Sequence, residues 1–302
     1  MRKFLLLVLL ICLSSGLWAQ MIRNRNCEAF TEMPYFDTAF VRKNKIHSIT
    51  GSTSIKKEMD IIRETELVQY YEFDSFGRLV KQMYSHHKFS DRLDTTTIMY
   101  YYDSKNRLAT RRQNDNYSFY SYNFEYDSTG NVVREVYSRD ENCGPSKYAF
   151  KLGKQYEITA EKYSYKKKSD GSLVKYFYNS LDRPYMEGVS KIDSLGFIVY
   201  ESRSFSLTSR MVYEAHYLFN EQGRVSNKKE ITDFRTGTGM EYKYGYDDKG
   251  NLTEYREVKA GVETIYREIL YDKYTGLLHA ILTKDQRTKV IGVVKFAYEF
   301  FD

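Results

Sequence analysis

A short pattern recurs along the chain after residue 70, and it constrains the fold more than any other feature. The copy at residues 244–252 reads Tyr-Gly-Tyr-Asp-Asp-Lys-Gly-Asn-Leu. Further copies begin at Tyr71, Tyr100, Phe124 and Tyr217, and weaker ones surround Asp193 and Asp272. A pattern repeated in this way indicates that one supersecondary unit is used many times. It therefore informs the architecture of the whole chain rather than a single site.

Each position of the pattern has a physical role in a β-hairpin. Two aromatic residues at alternate positions share one face of a strand, because strand side chains alternate with a period of two. The following Asp or Asn suits the first position of a type I turn, where its side chain bonds to the backbone two residues on. Gly three residues later supplies the positive φ that a four-residue hairpin loop needs, and Asn106 replaces it in one copy. The pattern therefore predicts a repeated hairpin turn.

The strands before the turns alternate between aromatic and polar side chains. Between residues 120 and 126 the aromatic residues fall on even positions and the polar residues on odd ones, and residues 241–246 repeat this order. Such alternation is typical of antiparallel strands with one apolar and one wet face. The sequence contains only three prolines, as uninterrupted β-ladders require. We predict an all-β fold of repeated antiparallel β-hairpins that form an extended or rolled meander.

The recurring pattern resembles the YD repeat of Rhs-type proteins and of many other exported bacterial proteins. The resemblance covers roughly residues 60–302, and its specificity lies in the recurrence. It implies a long array of antiparallel hairpins, which in the large members of the family curls into a shell around a toxin domain. This chain is short, and no toxin-like domain follows its last repeat, so we expect the array without toxin delivery.

Residues 1–19 are predicted to form a secretory signal peptide. Arg2 and Lys3 supply its positive end, residues 4–13 its apolar core, and Ala19 the small residue before the cleavage site. The apolar run is too short to span a bilayer. Cys12 lacks the small preceding residue of a lipoprotein signal. We expect export to the periplasm, the cell surface or the exterior, with no transmembrane segment after cleavage.

The remaining chain divides into two parts by its pattern. Residues 20–66 form an N-terminal segment with a degenerate first hairpin, which begins near Lys45, and residues 67–302 form the YD-like β-hairpin repeat domain. Residues 55–67 are compatible with a short helix or a strand, and the surrounding strands favour the strand. Removing Arg2 and Lys3 from the 46 basic residues leaves 44 against 40 acidic ones, a net charge of +4. This mild charge favours no nucleic-acid partner.

The sequence contains no recognisable catalytic or metal-binding motif. Cys-x-x-Cys, His-Glu-x-x-His and nucleophile-elbow patterns do not occur. His86 and His87 are neighbours, and neighbours on a strand point to opposite faces. We therefore assign no catalytic residue, no metal ligand and no cofactor. Cys27 and Cys143 remain after signal cleavage, and whether they form a disulfide stays open.

A binding surface is the functional hypothesis that the tyrosines suggest. Tyr70, Tyr101, Tyr137 and Tyr255 are expected on the strand face opposite the aromatic residues of the repeat. Tyrosine rings stack on sugar rings, and their hydroxyls add polar contacts, but the interpretation that we favour is that these four side chains cover a second core layer. The resemblance to YD-repeat proteins also implies carbohydrate binding.

The predicted function is a non-catalytic binding or scaffold module for a carbohydrate or a surface protein. The partner would engage the exposed face or an edge strand. Two alternatives stay open: a glycan-active enzyme, and a remnant of an Rhs-type toxin-encapsulating protein.

Overall fold

The computed structural model describes residues 20–87, 93–114 and 118–302, so the predicted signal peptide lies outside it. These residues form a short helix and 18 strands. The elements are α1 Thr38–Lys43, β1 Ile46–Lys56, β2 Arg63–Phe73, β3 Leu79–His87, β4 Leu93–Tyr102, β5 Leu108–Asn114, β6 Phe119–Tyr126, β7 Val132–Asn142, β8 Leu152–Lys167, β9 Leu173–Tyr178, β10 Pro184–Ile192, β11 Ile198–Phe205, β12 Met211–Phe219, β13 Val225–Asp233, β14 Thr238–Tyr246, β15 Leu252–Lys259, β16 Val262–Tyr271, β17 Leu278–Asp285 and β18 Ile291–Phe300.

The strands form one closed antiparallel barrel. Each strand pairs with the next along the chain, and β18 pairs with β1 over the whole length of both. The all-β antiparallel prediction is confirmed, but the predicted extended or rolled meander is wrong, because the first and last strands pair with each other. The repeat encodes strands and turns, whereas closure depends on strand number and stagger. Closure also removes the two free edges that an open array would expose.

The repeat turns all lie at one end of the barrel. Successive strands run in opposite directions, so every connection that follows an even-numbered strand lies at this end, which we call the turn rim. Positive φ angles occur at Gly77 (78°), Asn106 (62°), Gly130 (92°), Gly223 (72°) and Gly250 (85°). The predicted left-handed turn positions are therefore confirmed.

The tyrosine that precedes the turn Asp joins neighbouring hairpins at the turn rim. The Tyr102 hydroxyl donates to the Leu79 carbonyl at 2.8 Å, and the Tyr126 hydroxyl donates to the Leu108 carbonyl at 2.7 Å. Equivalent bonds link Tyr246 to Val225 and Tyr271 to Leu252, and two tyrosines without a following turn Asp make the same bond, Tyr165 to Val132 and Tyr298 to Leu278. Each bond satisfies a strand-start carbonyl of the preceding repeat, which gives this tyrosine a structural role beyond its apolar ring.

Residues 20–44, which include α1, cross the interior and are called the plug. Arg111 on β5 donates to Glu32 Oε2 at 2.5 Å, and Asn24 donates to the Tyr246 hydroxyl on β14 at 3.1 Å. β5 and β14 are nine strands apart in the ring of 18. A segment that contacts both sides of the ring therefore lies inside it. β2 spans residue 66, and side chains of the plug belong to the same apolar cluster as those of the barrel strands.

The apolar core occupies only part of the interior. Plug side chains such as Phe36 and Val41 pack against buried residues of β1–β4 and β12–β17, and the Phe36 ring lies 4.9 Å from that of Tyr71. Within the described residues this cluster has no buried member on β6–β11, and the one partly buried residue of these strands that packs against it is Ile198 at the start of β11. We therefore distinguish a plug half, formed by β12–β18 and β1–β4, from an open half, formed by β6–β11.

The two cysteines of the described residues differ in exposure. Cys27 belongs to the plug and is buried, whereas Cys143 is exposed, and both thiols are free. No helix in residues 20–87, 93–114 and 118–302 is long and apolar enough to cross a membrane.

Candidate ligand-binding site in the barrel interior

The strand register identifies the side chains that face the interior. The Tyr100 hydroxyl donates to the Glu32 carbonyl of the plug at 2.8 Å, so Tyr100 points inward. Directly opposed residues of an antiparallel pair share one face. Tyr100 is opposite Arg111, Arg111 is opposite Tyr122, and Tyr122 is opposite Tyr137. The inner face therefore continues from the plug half to the tyrosines of the open half.

Two of the four candidate ligand-binding tyrosines lie on the outer face. Tyr70 is half-buried, and its hydroxyl lies 3.4 Å from Glu72 Oε2. Tyr101 is 43 % exposed, with the Arg112 guanidinium 5.1 Å from its ring.

The other two candidates lie on the inner face, so the expected face is wrong for them. Tyr137 is directly opposite Tyr122, and Tyr255 is directly opposite Tyr244. Whether two residues on either side of a turn share a face depends on how their strands are paired. A β-bulge beside each of these two turns shifts that pairing. Simple alternation counted from the turn therefore misplaced both rings.

These two inner tyrosines have different surroundings. Tyr255 is 6 % exposed, and its ring contacts Phe30 of the plug at 5.3 Å. Tyr137 faces the open half, where its ring lies 4.9 Å from Tyr122 and stacks at 5.7 Å on Tyr120. Of the four candidates, Tyr137 is the one beside unfilled interior.

Two glutamates lie next to the stacked tyrosines. Glu135 on β7 and Glu161 on β8 are direct cross-strand partners. Like charges in this position are unfavourable unless neighbouring groups compensate them. The Tyr163 hydroxyl lies 3.2 Å from Glu135 Oε2 and 2.8 Å from Glu161 Oε2, and the Tyr185 hydroxyl also donates to Glu161. The two carboxylates are therefore held in fixed positions at the inner surface.

A lysine and two tyrosine hydroxyls also contribute to the electrostatic environment of the two carboxylates. Lys175 Nζ lies 3.4 Å from the Tyr163 ring centroid and 4.7 Å from that of Phe177. Burial lowers the pKa of the Lys175 ammonium, while the Glu135 carboxylate acts in the opposite direction. Burial and the bond to Glu161 raise the pKa of Tyr163, and the same causes raise the pKa of Tyr185 to about 12. The hydroxyls therefore remain protonated donors at neutral pH.

The two glutamates, Tyr122 and Tyr137 border a cavity of about 480 Å³. β9 has only six residues beside the sixteen of β8, and its last residue, Tyr178, lines the cavity. The lining residues are Tyr122, Glu135, Tyr137, Thr159, Ala160, Glu161, Tyr178, Asn179 and Tyr185. The volume lies in the range of small-molecule sites. We call this cavity the luminal site. In the described parts of the chain, no group of three His, Cys, Asp or Glu side chains is placed to hold a metal ion.

No protein-family model matches the chain, and no curated protein matches it. A porin-like protein from Bacteroides uniformis is 9 % identical, with a TM-score of 0.40 over 85 % of this chain and 97 % of that chain. A porin-like protein from Bacteroides vulgatus is 10 % identical, with a TM-score of 0.34 over 82 % and 97 %.

The structure of TcdB2-TccC3-Cdc42 is 13 % identical and has a TM-score of 0.21, covering 75 % of this chain but 14 % of that chain. These similarities are too low to carry an argument about family or function. The barrel assignment therefore depends on the strand pairings alone, and the YD-repeat likeness stays a resemblance.

Sequence reasoning missed the polar residues of the luminal site. The sequence feature that could have revealed them is a charged residue on the aromatic face of a strand, as in Glu135-x-Tyr137, Glu161-x-Tyr163 and Lys175-x-Phe177. A charge in that position is costly in a core but suits an interior that stays wet.

Proposed function

We propose that the protein is an exported, non-catalytic binding barrel that holds a carbohydrate at the luminal site. The observation that carries this proposal is the pair of adjacent tyrosine rings, Tyr122 and Tyr137, beside the two fixed carboxylates Glu135 and Glu161. Apolar faces of sugar rings stack on aromatic rings, and sugar hydroxyls donate to carboxylates. The half of the barrel that the plug leaves free is thus suited to a hydroxyl-rich ligand.

The outer face supports binding rather than permeation. Arg134, Lys243 and Arg256 stand on this face, within strands, and pair with carboxylates at 2.7, 3.5 and 3.0 Å. A barrel embedded in lipid presents an apolar outer band instead. The plug also crosses the interior. We therefore propose no channel function.

The size of the interior spaces argues against toxin encapsulation. The luminal site has a volume of about 480 Å³, and apolar side chains of the plug pack against the wall of the other half. A folded toxin domain requires a far larger chamber. The resemblance to Rhs-type proteins therefore extends to the hairpins and not to a shell.

A glycan-active enzyme is the second candidate, because Glu135 and Glu161 face each other directly. Glycosidases use a pair of carboxyl groups on opposite sides of the scissile bond. Here both carboxylates already share the Tyr163 hydroxyl on one wall, which favours binding over acid–base chemistry.

A glycan array with residues 20–302 tests the two candidates together. We expect binding without release of reducing ends, and Tyr137→Ala should weaken the binding at least about tenfold through loss of the stacking surface. Tyr101→Ala is the matched control, since Tyr101 is an exposed ring on the outer face. Equal losses in both variants would place binding elsewhere. Hydrolysis that disappears in Glu135→Gln would replace the binding proposal with the enzyme.

A further inference from the structure

A second cavity of about 780 Å³ lies at the turn rim, between the plug and the wall formed by β2–β5. It is separate from the luminal site and shares no lining residue with it. Part of its lining is apolar and belongs to both the plug and the barrel: Met33, Pro34, Phe36, Phe76, Leu79 and Leu108. We call this space the rim cavity. Its volume suits a small molecule with a substantial apolar part.

The charged lining of the rim cavity is mostly basic. Four cationic side chains border it, and Glu28 is the acidic residue among its lining residues; the cations are Arg23, Arg42, Arg78 and Lys228. Arg23 pairs with Glu28 at 2.7 Å, and Arg78 pairs with Asp74 at 2.6 Å. An anion entering this space would therefore meet an excess of positive charge.

Arg42 differs from the other three cations. It lies in the last turn of α1, is exposed, and has no acidic partner among the described residues. Lys228, by contrast, pairs with Glu230 at 2.5 Å. The Arg42 guanidinium is thus the group that can donate to a ligand carboxylate without first breaking an ion pair.

Unused hydrogen-bond donors of the rim cavity also favour an anion. Arg23 contacts Glu28 through Nε–H, which leaves its terminal N–H groups for another acceptor. The Asn106 Oδ1 accepts from Arg78 at 2.7 Å, which leaves the Asn106 NH₂ group as a donor. The rim cavity therefore offers several hydrogen-bond donors beside an apolar wall.

We infer that the rim cavity binds an amphipathic anion, a carboxylate with an apolar chain. The carboxylate meets Arg42 and the free donors of Arg23, and the chain lies against Phe36, Leu79 and Leu108. The plug supplies more than half of the lining residues, so the ligand would bridge the plug to the barrel wall. This inference does not depend on carbohydrate binding at the luminal site.

Calorimetric titration of residues 20–302 with decanoate and with decanol tests this inference. The two probes share a chain length and differ in charge. We expect decanoate to bind about tenfold tighter than decanol, and Arg42→Gln to weaken decanoate about five- to tenfold without changing decanol. Lys43→Gln is the matched control, because Lys43 is the neighbouring basic residue of α1 and does not line the cavity. It should leave both affinities unchanged.

A second variant keeps the test independent of one side chain. Ala39 is an exposed cavity-lining residue of α1, so Ala39→Trp should fill the entrance and abolish decanoate binding while the circular dichroism spectrum stays native. Tyr137→Ala should leave decanoate binding unchanged, which separates this site from the luminal one. Absence of saturable decanoate binding, equal affinities for the two probes, or equal effects of Arg42→Gln and Lys43→Gln would overturn the inference.

Discussion

The plug half and the open half of the barrel are built from the same repeat but have different interiors. In the plug half, the inward repeat tyrosines Tyr71, Tyr100 and Tyr244 are buried against residues 20–44. In the open half, the inward Tyr122 and Phe124 remain half-exposed, and Tyr163 is buried against Phe177 of the neighbouring strand without contact to the plug cluster. The repeat therefore determines the wall, and the non-repetitive N-terminal segment determines which part of the wall becomes core.

Barrel width explains why a plug is needed. A ring of 18 strands encloses more space than inward side chains can fill. Residues 20–44 supply apolar volume on one side, while glutamate, lysine and tyrosine side chains keep the other side polar. The division into two halves thus leaves room for a ligand without removing the core that stabilises the fold.

The largest expected effect is loss of the fold at alkaline pH. Burial raises the pKa of the plug-half residues Tyr35, Tyr71 and Tyr100 above the ordinary value of 10.0. A raised folded-state pKa contributes stability that is full below about pH 10 and is lost as pH rises through the folded pKa. Chemical denaturation at increasing pH, followed with tyrosinate absorbance, should show ionisation and unfolding together. Ionisation of these tyrosines in a folded barrel would contradict the burial that defines the plug half.

Removing one aromatic ring from each half should lower the free energy of unfolding by several kcal/mol more in the plug half than in the open half. Phe36 of the plug is 4 % exposed and contacts Tyr71 and Phe73, so Phe36→Ala should cost about 3–5 kcal/mol. Tyr122 borders the luminal site, so Tyr122→Ala should cost about 1 kcal/mol. Urea denaturation of both variants measures the difference. Equal losses would show that the open half is packed as tightly as the plug half.

Two turn glycines provide a matched pair for the turn rim. Gly77 and Gly130 both have positive φ, so substitution by Ala should cost each about 1–2 kcal/mol. A Cβ at Gly77 would lie 2.2 Å from the Thr38 carbonyl oxygen of α1, whereas one at Gly130 has no atom within 4 Å. Gly77→Ala should therefore cost a further ~1–3 kcal/mol. Similar denaturation midpoints for the two variants would mean that α1 does not pack on the rim.

The smallest effect concerns the hydroxyls at the turn rim. The Tyr246 hydroxyl contacts both the Val225 carbonyl and Asn24 of the plug, so Tyr246→Phe should cost about 2 kcal/mol. The Tyr126 hydroxyl donates to the Leu108 carbonyl alone, so Tyr126→Phe should cost about 1 kcal/mol. Thermal unfolding of both variants measures the difference between these two losses of stability. A larger loss of stability in Tyr126→Phe than in Tyr246→Phe would contradict the contribution that we expect from the plug contact.

The local structure of the repeat was predictable because its causes are local. Asn106 and the turn glycines adopt the left-handed backbone that the Asp-x-x-Gly pattern requires. The tyrosines followed the period of two within each strand. Alternation failed at Tyr137 and Tyr255, where a bulge between the turn and the residue changes the register.

The remaining features depend on contacts between distant residues. Closure pairs β1 with β18, and the plug contact between Asn24 and Tyr246 spans 222 residues. Residues 20–44 carry no period that predicts a partner. Glu135 and Glu161 meet only through the register of β7 and β8, whose connection lies outside the repeat pattern. One sequence contains no signal that specifies these pairings.

Cross-linking of the first and last strands tests the closed barrel most directly. Ser52 on β1 and Lys295 on β18 are exposed cross-strand partners. In a Cys143→Ser background, Ser52→Cys with Lys295→Cys should form an intramolecular disulfide under mild oxidation, because such partners lie within disulfide reach. Ser52→Cys with Lys243→Cys is the control, since Lys243 is an outer-face residue of β14. Mass spectrometry should find the disulfide in the first pair alone. Fully reduced thiols in both pairs would contradict closure and favour an open array.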